Sequence, residues 1–183
     1  MQVIPTEIPE VKILVPKQFK DHRGFFSEVY SRKALQSLGI TKEFIQDNHS
    51  LSVEKGVLRG LHYQIAPMAQ DKLIRVVRGS ILDIAVDIRR TSTTFGRHVA
   101  MEISAENWRQ IFVPVGFAHG FVTLEPNTEV LYKVSAPYAP DHERGVKWND
   151  PALGINWGVG EAEAILSARD QQHPPFSAVK DLF

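Results

Sequence analysis

Lys72-Leu-Ile-Arg-Val-Val-Arg78, Gly79-Ser80 and Ile81-Leu-Asp-Ile-Ala-Val-Asp-Ile88 form the stretch whose reading decides the fold class. Two runs dense in β-branched residues flank two residues with Gly first, a pattern that predicts extended chain on both sides of a type II′ turn and hence a β-hairpin. Outward from it, Val11 to Lys17, Phe25 to Tyr30, Phe44 to Leu51, Val57 to Gln64, His98 to Ile103, Gln110 to Val113, Gly120 to Leu124 and Glu129 to Ser135 read as strands too. Turn residues recur roughly every eight to twelve positions between them, the rhythm of an all-β sandwich or barrel. One short helix is predicted over Arg32 to Leu38, with Ser31 as N-cap and Gly39 at its end. The last forty residues carry Pro, Gly, Asn and Trp without periodicity and read as loop and short helix packed around the strands.

Composition narrows the class. The chain of 183 residues with 43% hydrophobic side chains is long enough for one core, and with no linker, repeat or low-complexity tract we expect a single domain over 1–183. Its 21 basic and 21 acidic side chains cancel, so no overall field recruits nucleic acid or a membrane, and an anion has to be held by a local cluster. Cysteine is absent, which excludes disulfides and thiolate metal sites. The opening Met1-Gln-Val-Ile-Pro-Thr-Glu-Ile-Pro has neither a basic region nor an apolar run, and no later run has membrane-spanning length; the expectation is a cytoplasmic protein. Gly158-Val-Gly160 is too short, and lacks the strand-to-helix setting, for a dinucleotide loop.

Arg59-Gly-Leu-His-Tyr-Gln64 and Val113-Pro-Val-Gly-Phe-Ala-His119 resemble the two motifs of a cupin barrel with the metal ligands removed. Pro114, Gly116 and His119 keep the second motif. In the first, Gln64 replaces the second His, and Lys72, seven positions before Gly79, stands where the acid would be. A cation in that position repels a metal, so no metal is expected. The resemblance implies a cupin-type jelly-roll barrel with a few short peripheral helices.

A closer resemblance covers nearly the whole chain. Asp21-His-Arg-Gly-Phe-Phe-Ser-Glu28, Gln46-Asp-Asn-His-Ser50, Gly56 to Gln64, Ser92-Thr-Thr-Phe-Gly96, Val113 to Phe121, Leu131-Tyr-Lys133, Glu143 to Pro151 and Leu166-Ser-Ala-Arg-Asp170 occur in the order and character of the dTDP-4-dehydrorhamnose 3,5-epimerase family. The resemblance implies a homodimer with a shared active site, no cofactor, and inversion at carbons 3 and 5 of a dTDP-linked 4-keto-6-deoxyhexose on the way to dTDP-L-rhamnose. Both carbons adjoin a ketone, so epimerisation needs a base, an enolate stabiliser and an acid on the opposite face. His62 suits the base, since imidazole is largely neutral at pH 7 and can take and release a proton. Asp170 is its orienting partner, Lys72 the enolate stabiliser and Tyr132 the acid. His119 can act at the same oxygen or at the diphosphate.

For the nucleotide, Arg59 and Arg23 offer guanidinium forks to phosphate. Gln46, Asn48 and Glu28 offer donors and acceptors to base and sugar, and Glu143 maps to a binding position. Phe26 and Tyr138 are either stacking partners or ordinary packing. The family places the Arg23 to Glu28 segment in the neighbouring subunit's site. Where the family has lysine before the aspartate this chain has Arg169, which keeps the charge with a different geometry. Two further readings stay open: a single-carbon dTDP-ketosugar epimerase, and a non-catalytic nucleotide-sugar binding cupin.

Overall fold

Strand pairing in the computed structural model, which describes residues 1–183, follows a nested order. In chain order the elements are β1 (Gln2–Ile4), β2 (Lys12–Val15), β3 (Gln18–Asp21), β4 (Gly24–Ser27), helix α1 (Arg32–Ser37), β5 (Gln46–Ser52), β6 (Leu58–Gln64), β7 (Lys72–Arg78), β8 (Ser80–Asp87), β9 (His98–Ser104), β10 (Gln110–Val113), β11 (Phe117–Thr123), β12 (Thr128–Val134) and β13 (Glu143–Gly145). β5 pairs with β12, β6 with β11, β7 with β10 and β8 with β9, all antiparallel. The chain from β5 to β12 is thus one doubled ribbon, closed at the β8–β9 end. Wrapping it lays its pairs alternately in two facing sheets, of order β1-β2-β10-β7-β12-β5 and β13-β6-β11-β8-β9. That is a jelly roll, and it bears out the all-β reading.

The predicted β7–β8 hairpin is corrected here: the two strands lie in different sheets and do not pair. The local signal was sound, for Gly79 has φ +74° and a Cβ there would collide with Thr128. What the turn does is carry the ribbon across a corner. The β-branched runs find their partners at β10, β12, β11 and β9. The helix forms as read, with Ser31 Oγ accepting from the Ala34 N–H at 3.4 Å. The sequence reading missed β1, β3 and β13, each of three or four residues.

Three apolar layers follow from strand alternation. Between the sheets lie Ile74, Val76, Val130, Ile81, Ala85, Phe117 and Phe121. The outer face of the five-stranded sheet carries Leu58, Leu61, Ile84 and Val122, covered by Val146, Trp148, Leu153, Trp157 and Val179 of the C-terminal segment. α1 covers the outer face of the other sheet through Leu35, against Leu14, Leu73 and Phe112. β3 and β4 form a separate two-stranded hairpin. No helix is long and apolar enough to cross a membrane.

Candidate active site

The space between the two sheets is not filled at one end. A cavity of about 260 Å³ is lined there by Ser50, Arg59, His62, Lys72, Ile74, His119, Phe121, Tyr132, Ser167, Arg169 and Asp170. His62, His119 and Phe121 come from the five-stranded sheet, while Lys72, Ile74 and Tyr132 come from the facing one. Arg59 and His62 are three residues apart on one strand, a spacing that would put them on opposite faces. They share a face because the register slips: His119 pairs with His62, yet Phe121 pairs with Arg59, so β6 carries one extra residue. Such a bulge re-aims a side chain.

His62 Nε2 meets Asp170 Oδ1 at 2.5 Å, and Ser167 Oγ donates to Asp170 Oδ2 at 2.9 Å. With the carboxylate on Nε2, the proton sits there and the unpartnered Nδ1 keeps its lone pair. Burial pushes the His62 pKa down; Asp170 opposes this through its hydrogen bond and charge, while Lys72 and His173 add to it. The ring is therefore neutral and basic near pH 7. For Asp170 burial favours the neutral acid, but His173, His62 and Ser167 together hold its carboxyl well below the usual range. Lys72 has its pKa pushed down to about 8 by burial, against the opposing charge of Asp83. Burial pushes the Tyr132 hydroxyl up despite Arg59, so it stays protonated. Neutral base, cation and protonated phenol thus border one cavity, with base and phenol on facing sheets.

His119 is committed to the fold's interior: its Nε2 lies 2.9 Å from both oxygens of Asp83, which is fully buried. Asp83 escaped the sequence reading because it stands in an apolar strand, yet it points inward opposite Phe121. Gln64 is also structural. Its amide donates to the Met68 and Pro137 carbonyls at 2.6 and 3.1 Å and accepts from the Ala139 N–H at 2.9 Å. The position that holds a ligand in metal-binding cupins therefore ties loops together. His62, Asp170 and His173 are the only imidazole and carboxylate groups gathered closely enough to approach one cation. His62 Nε2 and Asp170 Oδ1 are engaged with each other beside Lys72, which fits proton handling.

A second recess of about 150 Å³ shares His62, Lys72 and Tyr132 with the first and adds Gln46, Asn48, Tyr138 and Glu143. Gln46 Nε2 donates to Asn48 Oδ1 at 2.8 Å. The Tyr138 hydroxyl donates to Glu143 at 2.7 Å and accepts from Arg169 at 3.2 Å, while Arg169 also pairs with Glu143. Arg169 thereby closes a triangle beside the dyad. Arg23, Phe26 and Glu28 are not brought to either recess: they lie on or next to the β3–β4 hairpin, exposed, with Arg23 paired to Asp21 at 2.6 Å. Ser167, which lines the first cavity, is a residue the sequence reading missed, as is His173, which lies behind the Asp170 carboxylate without lining that cavity.

The family model described as dTDP-4-dehydrorhamnose 3,5-epimerase matches residues 5–178. The chain belongs to the dTDP-4-dehydrorhamnose 3,5-epimerase family. A family member from Shigella flexneri, named dTDP-4-dehydrorhamnose 3,5-epimerase, is 50% identical over 93% of this chain and 93% of its own. The dTDP-4-dehydrorhamnose 3,5-epimerase of Bacillus anthracis, solved with TDP and pyrophosphate bound, superposes with a TM-score of 0.92 at 49% identity, covering 95% of this chain and 98% of that one. A dTDP-6-deoxy-D-glucose-3,5-epimerase from Legionella pneumophila, solved with dTDP-4-keto-L-rhamnose, gives 0.93 at 44% identity over 98% and 94%.

Proposed function

We propose that this member of the epimerase family inverts carbons 3 and 5 of dTDP-4-keto-6-deoxy-D-glucose to give dTDP-4-keto-L-rhamnose, within dTDP-L-rhamnose biosynthesis. The observation that carries the reading is the pair of opposed groups across the cavity: His62 on one sheet, backed by Asp170 of the C-terminal segment, and protonated Tyr132 on the facing sheet. With the hexose ring between them, His62 Nδ1 removes the proton from carbon 3 or 5. The electron pair moves into the C4 carbonyl, whose oxygen becomes an enolate. Lys72 stabilises that charge as it develops, and Tyr132 protonates the carbon from the other face. Asp170 stabilises the imidazolium meanwhile. Solvent returns a proton to the phenolate and takes one from the imidazolium.

Arg59 bears the diphosphate at the mouth of the cavity, and Gln46, Asn48, Tyr138, Glu143 and Arg169 receive the nucleoside in the adjoining recess. His119, held by Asp83, supports the C4 oxygen from the side of His62. Arg23, Phe26 and Glu28 complete the site of a second copy in a homodimer. Support comes from the detached hairpin with Phe26 66% exposed, and from the exposed Leu51 of β5 at the edge of its sheet. The chain works as a single domain, and a nucleotide-sugar substrate suits a cytoplasmic enzyme.

Incubation with the 4-keto-6-deoxyglucose substrate in D₂O tests the reaction. Deuterium is expected at both carbons, and His62→Asn should lower incorporation at both by about 10²-fold or more while dTDP still binds. Deuterium at one carbon only would favour the single-carbon epimerase. None at either, with binding intact, would favour the binding cupin.

A further inference from the structure

His173 is a half-buried imidazole that the proposed reaction leaves unused. The 3₁₀ turn Asp170–Gln172 curls the chain so that residue 173 returns beside Asp170. His173 Nε2 lies 3.5 Å from Asp170 Oδ1, the same oxygen that His62 Nε2 holds at 2.5 Å. The His173 Nε2 atom is buried and has no hydrogen-bond partner. The two imidazole rings stand edge to face, centroids 5.2 Å apart and planes at 79°. Beneath His173 lies Gly145, the residue of β13 directly opposite His62, where any Cβ would occupy the space of the imidazole. Space has thus been cleared for the ring, while a buried ring nitrogen without a partner is a cost. Packing alone does not account for that combination.

We propose that His173 is a positioning residue that shares the Asp170 carboxylate with His62 and thereby fixes how far into the acid range His62 remains a base. The proposal rests on the proton-transfer reading of this site. One carboxylate oxygen stands within reach of two imidazoles. Protonated His62 draws Asp170 to itself, whereas protonated His173 draws the same oxygen away and repels a second cation. The proton affinity of His62 therefore depends on how much of that one counter-charge His173 draws off.

The surroundings leave Asp170 as the carboxylate that matters. Glu143 and Arg144 of β13, Arg169, and Lys180 and Asp181 of the C-terminal segment also face His173. Glu143 is paired with Arg169 and Asp181 with Arg144. On the other side of His62, Lys72 stands in the cavity. No second unpaired acid is offered to His173, so its effect is directed onto the dyad.

The test uses His173→Phe, which keeps a ring over Gly145 without nitrogens, and His173→Gln, which keeps an N–H donor without a titrating charge. The His62 imidazole is followed by NMR against pH without substrate, and kcat/KM is measured over the same range. In the Phe variant the His62 midpoint and the acid limb of kcat/KM should both rise, by on the order of half a pH unit. Turnover at about pH 8 should stay within roughly threefold. The Gln variant should lie between the two. A His62 midpoint that does not move in either variant overturns the proposal, as does a loss of kcat/KM that is uniform across pH. The NMR midpoint does not depend on turnover, so a shift there without epimerase activity would sink the proposed reaction and leave the sharing of Asp170 standing.

Discussion

Asp170→Asn removes one charge from the dyad and almost nothing else. The new side chain can still accept from His62 Nε2–H through its oxygen and can donate to Ser167 Oγ in place of the present bond, so geometry and tautomer are retained. What goes is the counter-charge to the imidazolium. An ion-assisted hydrogen bond contributes about 1.5–3 kcal/mol where a neutral one contributes about 1. The Coulomb attraction of unit charges some 4 Å apart at an effective dielectric of ~20 adds about 4 kcal/mol. Asp170 is 6% exposed but His62 is 26% exposed, so solvent takes part of that gain. A loss of roughly 3–4 kcal/mol of transition-state stabilisation remains, or about 10²–10³-fold in kcat. Deuterium incorporation at carbons 3 and 5 should fall together, with KM nearly unchanged. Because Asp170 raises the His62 pKa, its removal should move the acid limb of kcat/KM to lower pH, opposite in sign to the His173 variants. A kcat above about a third of the wild-type value, or an upward shift of the limb, would refute the assignment of Asp170 as the counter-charge.

Lys72 must be protonated to hold an enolate, and with its pKa pushed down to about 8 the activity should decline as pH rises through that value. Lys72→Met should cost about 10²-fold or more in kcat at pH 7 and abolish that alkaline limb, both read from pH–rate profiles. Tyr132→Phe should impair inversion more than proton removal, so that in D₂O exchange with retention outlasts formation of the epimer, as resolved by NMR couplings. Gly79→Ala places a Cβ against Thr128 at a positive φ, and denaturant unfolding should show a loss of about 1–3 kcal/mol.

Strand content and the short capped helix were legible because they depend on residues near in sequence: Ser31 caps its own helix, and Gly79 makes its own turn. Pairing was not legible from β7 and β8 alone, since it is settled by β10, β12, β11 and β9, tens of residues away. The cupin and family motifs pointed to His62, Lys72, Tyr132, Asp170, Arg59 and His119, which do line one cavity. Asp83 is a lone carboxylate within the apolar run Ile81 to Val86, and nothing near it in sequence reveals the His119 Nε2 that lies 2.9 Å from its oxygens. His173 sits in a His-Pro-Pro run that reads as loop, and nothing local to it reveals that Gly145 vacates a place for its ring. Arg23, Phe26 and Glu28 have no partner surface within one chain to be read against.

The C-terminal segment that clothes the five-stranded sheet is also the segment that delivers Asp170 to His62. The proposed base is held by the ribbon and its counter-charge by the wrapping, two parts that need not melt together. Partial detachment of the wrapping would silence turnover while the strands persisted. On heating, kcat should therefore fade ahead of the far-ultraviolet strand signal, which makes the reaction a more sensitive gauge of local fraying than any measure of the sheets.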